Sequence, residues 1–237
     1  MAKFLFVHGG CHGAWCWDPL IHNLENLGQK GFALDLPGHG LDRTPRQDVT
    51  FNSYVEKLSQ FIEEKDLSKL VLVGHSLAGV ILPEIASRFP ERIQHLVYLA
   101  AFVLNEGESA VDLVPADRRQ SYFDMADQSP EKSISLDFET AHRRFFSDLD
   151  EEDARQFYAR LTPQPLEVYL QAASVSPCSV PQRLTYIICK NDGTLPYELC
   201  ASLAEKLAGA KYEIESDHDV MLSHPEELAE LLIRIAT

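Results

Sequence analysis

No apolar run in this sequence approaches the roughly 20 residues that a membrane-spanning helix needs. The longest, Leu96 to Leu104, reads as a buried strand. Positive charge is scarce as well: 21 lysines and arginines stand against 36 aspartates and glutamates, a formal net charge of −15. Nucleic acid and anionic membranes would be repelled, so neither is an expected partner. The five cysteines, Cys11, Cys16, Cys178, Cys189 and Cys200, are odd in number and scattered. They make no disulfide framework and suit a reducing cytoplasm. Met1-Ala2-Lys3 runs directly into Phe4-Leu5-Phe6-Val7 without a charged-then-apolar leader, which also predicts a cytoplasmic protein. No G-x-G-x-x-G or P-loop follows an apolar run, so no nucleotide cofactor is expected. Repeats and low-complexity segments are missing too.

What is present is an alternation of two periodicities. Lys3–Val7, Gly31–Leu36, Lys69–Val73, His95–Ala101, Leu184–Cys189 and Ala210–Glu215 read as strands, short and rich in β-branched or aromatic residues. Between them, Trp15–Leu27, Tyr54–Glu64, Leu77–Arg88, Pro196–Leu207 and Pro225–Ile235 repeat apolar residues three and four apart, as helices do. The alternation predicts an α/β chain with a mostly parallel six-stranded sheet and helices on both faces. One stretch departs from it. Residues 105–180 show no strand, only helical patches at Phe138–Phe146, Glu151–Leu161 and Leu166–Ala173, and are read as a helical cap inserted after the fourth strand. The core is then 1–104 and 181–237. The cap carries fifteen acidic against seven basic residues, which reads as a solvated outer face; the alternative is an electrostatic role that favours neutral substrates and helps expel the carboxylate product.

Gly74-His75-Ser76-Leu77-Ala78-Gly79 follows the apolar run Leu70-Val71-Leu72-Val73 and opens into Val80-Ile81-Leu82. Strand, small-residue turn and helix with a serine at the apex describe a nucleophile elbow. A serine hydroxyl needs a general base, and the base needs an acid to orient it. Asp192 follows one later strand and His218 the next, both at carboxyl ends, where ligands of parallel sheets bind. Alone, Asn191-Asp192-Gly193 is ordinary turn chemistry and His218 sits in a polar run; together, in this order, the three predict a catalytic triad. Leu77, next after the serine, offers one oxyanion N–H, and Gly10, in Val7-His8-Gly9-Gly10, offers the second. Gly9, Gly10 and Leu77 are expected to contact substrate. His8, Cys11, His12 and Cys16 lack the repeated C-x-x-C spacing of structural zinc, and Asp217, His218, Asp219 and His224 have no further ligand elsewhere, so no metal is expected.

These residues carry a family resemblance, and it runs nearly end to end. Val7-His8-Gly9-Gly10-Cys11-His12-Gly13-Ala14-Trp15-Cys16-Trp17, Cys189-Lys190-Asn191-Asp192-Gly193-Thr194-Leu195-Pro196, Ser216-Asp217-His218-Asp219 and Ser223-His224-Pro225 resemble the plant-type methylesterase and hydroxynitrile lyase branch of the α/β-hydrolases, with its bacterial relatives. The resemblance implies the α/β-hydrolase fold, Ser76, Asp192 and His218 as triad, Gly10 and Leu77 as oxyanion donors, and a homodimer. Three positions depart from the family. Ala78 stands where the elbow usually has glycine, which predicts mild crowding. Gly9 stands where lyases carry a threonine that touches the substrate hydroxyl, and Asp219 where they carry a lysine that steadies cyanide. The expected activity is hydrolysis of a small neutral carboxylic ester through an acyl-enzyme on Ser76, without a cofactor. Lyase, thioester, lactone, amide or carbon–carbon chemistry, and a slow ligand receptor on the same fold, are the alternatives.

Overall fold

The computed structural model describes residues 1–237. Six strands, β1 (Lys3–Val7), β2 (Lys30–Ala33), β3 (Leu70–His75), β4 (Ile93–Leu99), β7 (Arg183–Cys189) and β8 (Ala210–Ile214), form one sheet in the order β2-β1-β3-β4-β7-β8. Every pairing is parallel. Side chains alternate across the pleat, and here both faces are buried. Leu5, Val7, Leu72, Leu96, Tyr98 and Ile188 enter one apolar cluster; Phe4, Phe6, Val73, Val97, Leu99 and Ile187 enter the other. The first face is covered by α2 (Phe51–Glu64), α3 (Leu82–Arg88) and α8 (Tyr197–Leu207), and the second by α1 (Asp18–Asn26), α9 (Val220–Ser223) and α10 (Pro225–Ala236).

Several boundaries differ from those predicted, each for a local reason. The second strand ends at Ala33, because the Asp35 carboxylate accepts the Ala14 and Leu41 N–H groups and turns the chain into a loop. Two predicted helices are each split: a 3₁₀ turn, Ala14–Trp17 or Ser76–Ile81, precedes the α-helix. Pro19 and Pro83 lie in the first turns of α1 and α3, where a missing N–H is tolerated but could not continue a longer helix.

Between β4 and β7 the chain forms α4 (Ala116–Gln128), α5 (Phe138–Phe145), α6 (Glu151–Tyr158) and α7 (Glu167–Leu170). Periodicity does not reveal α4, because only Tyr122 and Ala126 of its residues are buried. A two-residue antiparallel ladder, β5 (Ser133–Ile134) with β6 (Gln164–Pro165), also escaped expectation. Part of this segment's acidity is local capping: Asp137 accepts from the Thr140 N–H and Asp150 from the Asp153 N–H, satisfying helix-start donors.

Candidate active site

Ser76 follows β3 directly and holds φ at +53°, the left-handed region that costs a non-glycine residue about 1–2 kcal/mol. The turn is wedged in place. A Cβ on Gly79 would lie 2.2 Å from the Phe102 carbonyl oxygen, and one on Gly74 would lie 2.8 Å from the Leu82 side chain. Close approach is therefore demanded at 74 and 79, whereas Ala78 is accommodated within the core. The Ser76 carbonyl accepts from the Phe102 N–H at 3.0 Å, pinning the turn to the end of β4.

Asp192 makes both sets of contacts that a turn residue and a histidine partner would make. Its Oδ1 accepts the Thr194 and Leu195 N–H groups at 2.6 and 2.8 Å, making the turn, and its Oδ2 accepts from His218 Nδ1 at 2.7 Å. Both side chains are buried. Burial alone would lower the His218 pKa, but the Asp192 carboxylate and its hydrogen bond outweigh that and hold it above the ordinary histidine value. With Nδ1 committed to Asp192, Nε2 is left to accept a proton. The loops are tied to one another: the Asn191 N–H donates to the Ser216 carbonyl, and His75 Nε2–H donates to the His218 carbonyl at 3.0 Å.

The loop after β1 is aligned by two histidines, His8 and His12, that the sequence offers only as metal ligands lacking the spacing of a zinc site. His8 Nδ1–H donates to the Gly9 carbonyl at 2.8 Å, and its Nε2 accepts from the Leu36 N–H at 3.1 Å. Burial lowers the His8 pKa to about 4, so the ring is neutral, as these two bonds require. A trans peptide is planar with its carbonyl and N–H opposed. Fixing the Gly9 carbonyl thus also fixes the direction of the Gly10 N–H. His12 then bridges the Gly10 carbonyl (2.7 Å from Nδ1) and Asp219 Oδ2 (2.7 Å from Nε2). Donor atoms of His75, His218 and Asp219 lie within 4.8 Å of one another, a grouping that could hold a cation. Nδ1 of His218 and Nε2 of His75 are, however, already donating within the network.

Two small cavities, each about 20 Å³, meet at Ser76 and share Tyr122, Arg144, Tyr169 and Thr194 as lining. That is room for about one water, so an ester enters only when side chains of the overlying segment move. Of the residues expected to touch substrate, Gly10 lines a cavity, while Gly9 and Leu77 flank Ser76 without lining either. Gly9 is backed against the serine: a Cβ there would stand 2.8 Å from Ser76 Cβ. Asp219 also lines neither cavity, since its carboxylate is turned to His12. Arg144, Tyr122 and Tyr169 were missed in the sequence. For Arg144 a signal existed, because helical spacing places it with Ala141 and Phe145 on the face of α5 that is buried.

An all-parallel sheet bearing a strained serine after its third strand, with a buried aspartate–histidine pair on the two strands at the far edge, defines an α/β-hydrolase. A family model described as the alpha/beta hydrolase family matches residues 4–231, and the chain belongs to that family. It is 29% identical to Methylesterase 10 of Arabidopsis thaliana over 262 residues, covering 98% of this chain and 91% of that protein. It is also 29% identical to the polyneuridine aldehyde esterase of Rauvolfia serpentina over 252 residues, covering 98% and 95%. The crystal structure of a polyneuridine aldehyde esterase superposes with a TM-score of 0.84 at 28% identity, covering 100% of both chains. An extracellular α/β-hydrolase from a Paenibacillus species shares the fold at a TM-score of 0.92 and 24% identity, covering 99% of this chain and 98% of that one.

Proposed function

We propose that this chain is a serine carboxylesterase that hydrolyses a small carboxylic ester through an acyl-enzyme. Ser76 attacks the ester carbonyl, and His218 takes the serine proton and returns it to the departing alcohol. Asp192 orients His218 and stabilises the imidazolium; the Gly10 and Leu77 N–H groups receive the oxyanion. Water repeats the sequence to release the acid. Residues 105–180 act as the cap over Ser76. The observation that carries this reading is the buried 2.7 Å contact of His218 Nδ1 with Asp192 Oδ2, with the His218 ring 4.5 Å from that of His75, the residue before a serine at φ +53°. Relatives named as esterases support it. Five unpaired cysteines, four of them buried, support a reducing, cytoplasmic setting. No helix is long and apolar enough to cross a membrane.

Ser76→Ala should lose about three or more orders of magnitude in turnover of p-nitrophenyl and methyl esters. A fluorophosphonate should phosphonylate Ser76 with loss of fluoride, adding the reagent's mass less HF, in the parent protein alone. Unchanged ester turnover in the variant overturns the mechanism. Cyanide release from mandelonitrile in place of ester cleavage would favour the lyase reading, against which Gly9 speaks because it has no space for a side chain.

A further inference from the structure

The net charge of the cap suggested a preference for neutral esters, yet the wall of the cavity it closes is cationic. Arg144 lies on α5 with 7% of its surface exposed and lines both cavities at Ser76. Its Nη2 donates to the Tyr122 hydroxyl at 2.8 Å, and its buried Nε has no hydrogen-bond partner. Arg118 lines one of the same cavities, with Nη1 donating to the Thr194 carbonyl at 2.6 Å. The arginines that meet a carboxylate within 4.0 Å are Arg46, Arg88, Arg92, Arg155 and Arg160, not these two.

A buried guanidinium without a counter-ion is costly to fold around. The nearby acids do not meet that need. Asp192 is fully engaged by Thr194, Leu195 and His218; Asp219 is bonded through Oδ2 to His12, and although its Oδ1 is unpartnered, the residue lines neither cavity and forms no ion pair with either arginine. Asp117 and Asp137 line an outer chamber of about 430 Å³ that also borders Arg118, Tyr122 and Arg144. Asp137 caps α5, and neither aspartate forms an ion pair with the two arginines. Tyr122 and Arg144 thus stand between that chamber and the cavity of the serine.

Resting on the esterase reading above, we propose that the substrate is a half-ester: a carboxylic ester whose other end is a free carboxylate, received by Arg144 with Arg118 beside it. A planar guanidinium matches a carboxylate with paired N–H donors, and the unpartnered Nε is one such donor. The pairing would neutralise the buried charge only when the acidic substrate is present. It also gives the site a way to hold an anion despite the net charge of −15, because a contact ion pair in a desolvated cavity is screened far less than long-range repulsion.

The test is direct binding to the Ser76→Ala protein by calorimetry, with monomethyl succinate, glutarate and adipate set against their dimethyl esters. At least one half-ester should bind about tenfold or more tightly than its diester. Adding Arg144→Gln should bring that ratio to about one, and adding Arg144→Lys, which keeps the charge, should preserve part of it. Arg118→Gln, at a partly exposed position, reduces the ratio without the risk of a misfolded core. Diesters binding as tightly as every half-ester, or a ratio indifferent to both arginines, overturn the proposal. Failure of the parent protein to hydrolyse any ester overturns the esterase reading separately, since the binding comparison needs no turnover.

Discussion

His12 and Asp219 form a buried pair at 2.7 Å, and the other ring nitrogen of His12 lies 2.7 Å from the Gly10 carbonyl. His12 thus spans, through its two ring nitrogens, the carbonyl of the loop after β1 and a carboxylate of the loop that carries His218.

Asp219 is therefore a positioning residue for the loop that bears Gly10. In Asp219→Asn the amide donates to His12 Nε2 while Nδ1–H still reaches Gly10, so most of kcat should survive. Asp219→Ala leaves His12 without that partner and should lower kcat by about tenfold to a hundredfold, with KM changed much less. Equal kinetics in the parent and alanine proteins would remove the role.

The pH profile of kcat/KM should report His218. Its neutral form is the base, and its pKa is raised, so activity should fall with acid through a midpoint above the ordinary value of about 6.5. Asp192→Asn should move that midpoint down and cut kcat by several orders of magnitude. A parent midpoint at or below that of free histidine contradicts this electrostatic account.

Asp217, next to the histidine, predicts a pH-dependent stability. Burial raises its carboxyl to about 7, against accepted hydrogen bonds from Asp148 N–H and Ser223. A group whose pKa is raised by folding adds stability below its unfolded value, near 3.8, and loses it as pH rises through about 7. Asp217→Asn should thus melt close to the parent at pH 4.5 and progressively above it toward pH 8. A melting difference that stays constant across this range would falsify the assignment.

Gly9 tests whether the lyase position can be rebuilt. Gly9→Thr places a Cβ 2.8 Å from Ser76 Cβ and 3.0 Å from His75 Nδ1. Overpacking of this kind costs about 1–3 kcal/mol. Chemical denaturation should show that loss together with reduced esterase activity and no cyanide release; a variant as stable and active as the parent means that the serine turn yields more readily than its wedged glycines imply.

Local pattern determined the six strands, the helices between them and the order of Ser76, Asp192 and His218, because strand and helix periods and turn chemistry are written in neighbouring residues. The family signatures are local in the same sense. Helix α4 was invisible because too little of it is buried to mark a face. Only the tertiary structure decided what faces what. It brought His12 to Asp219, 207 positions away, joining a histidine of the first loop and a residue read only as a departure from the lyases in one hydrogen-bonded support. It also placed an arginine without a counter-ion in the wall of the cavity at the serine, inside an acidic protein, since net charge is a sum over the chain and a cavity wall is set by packing.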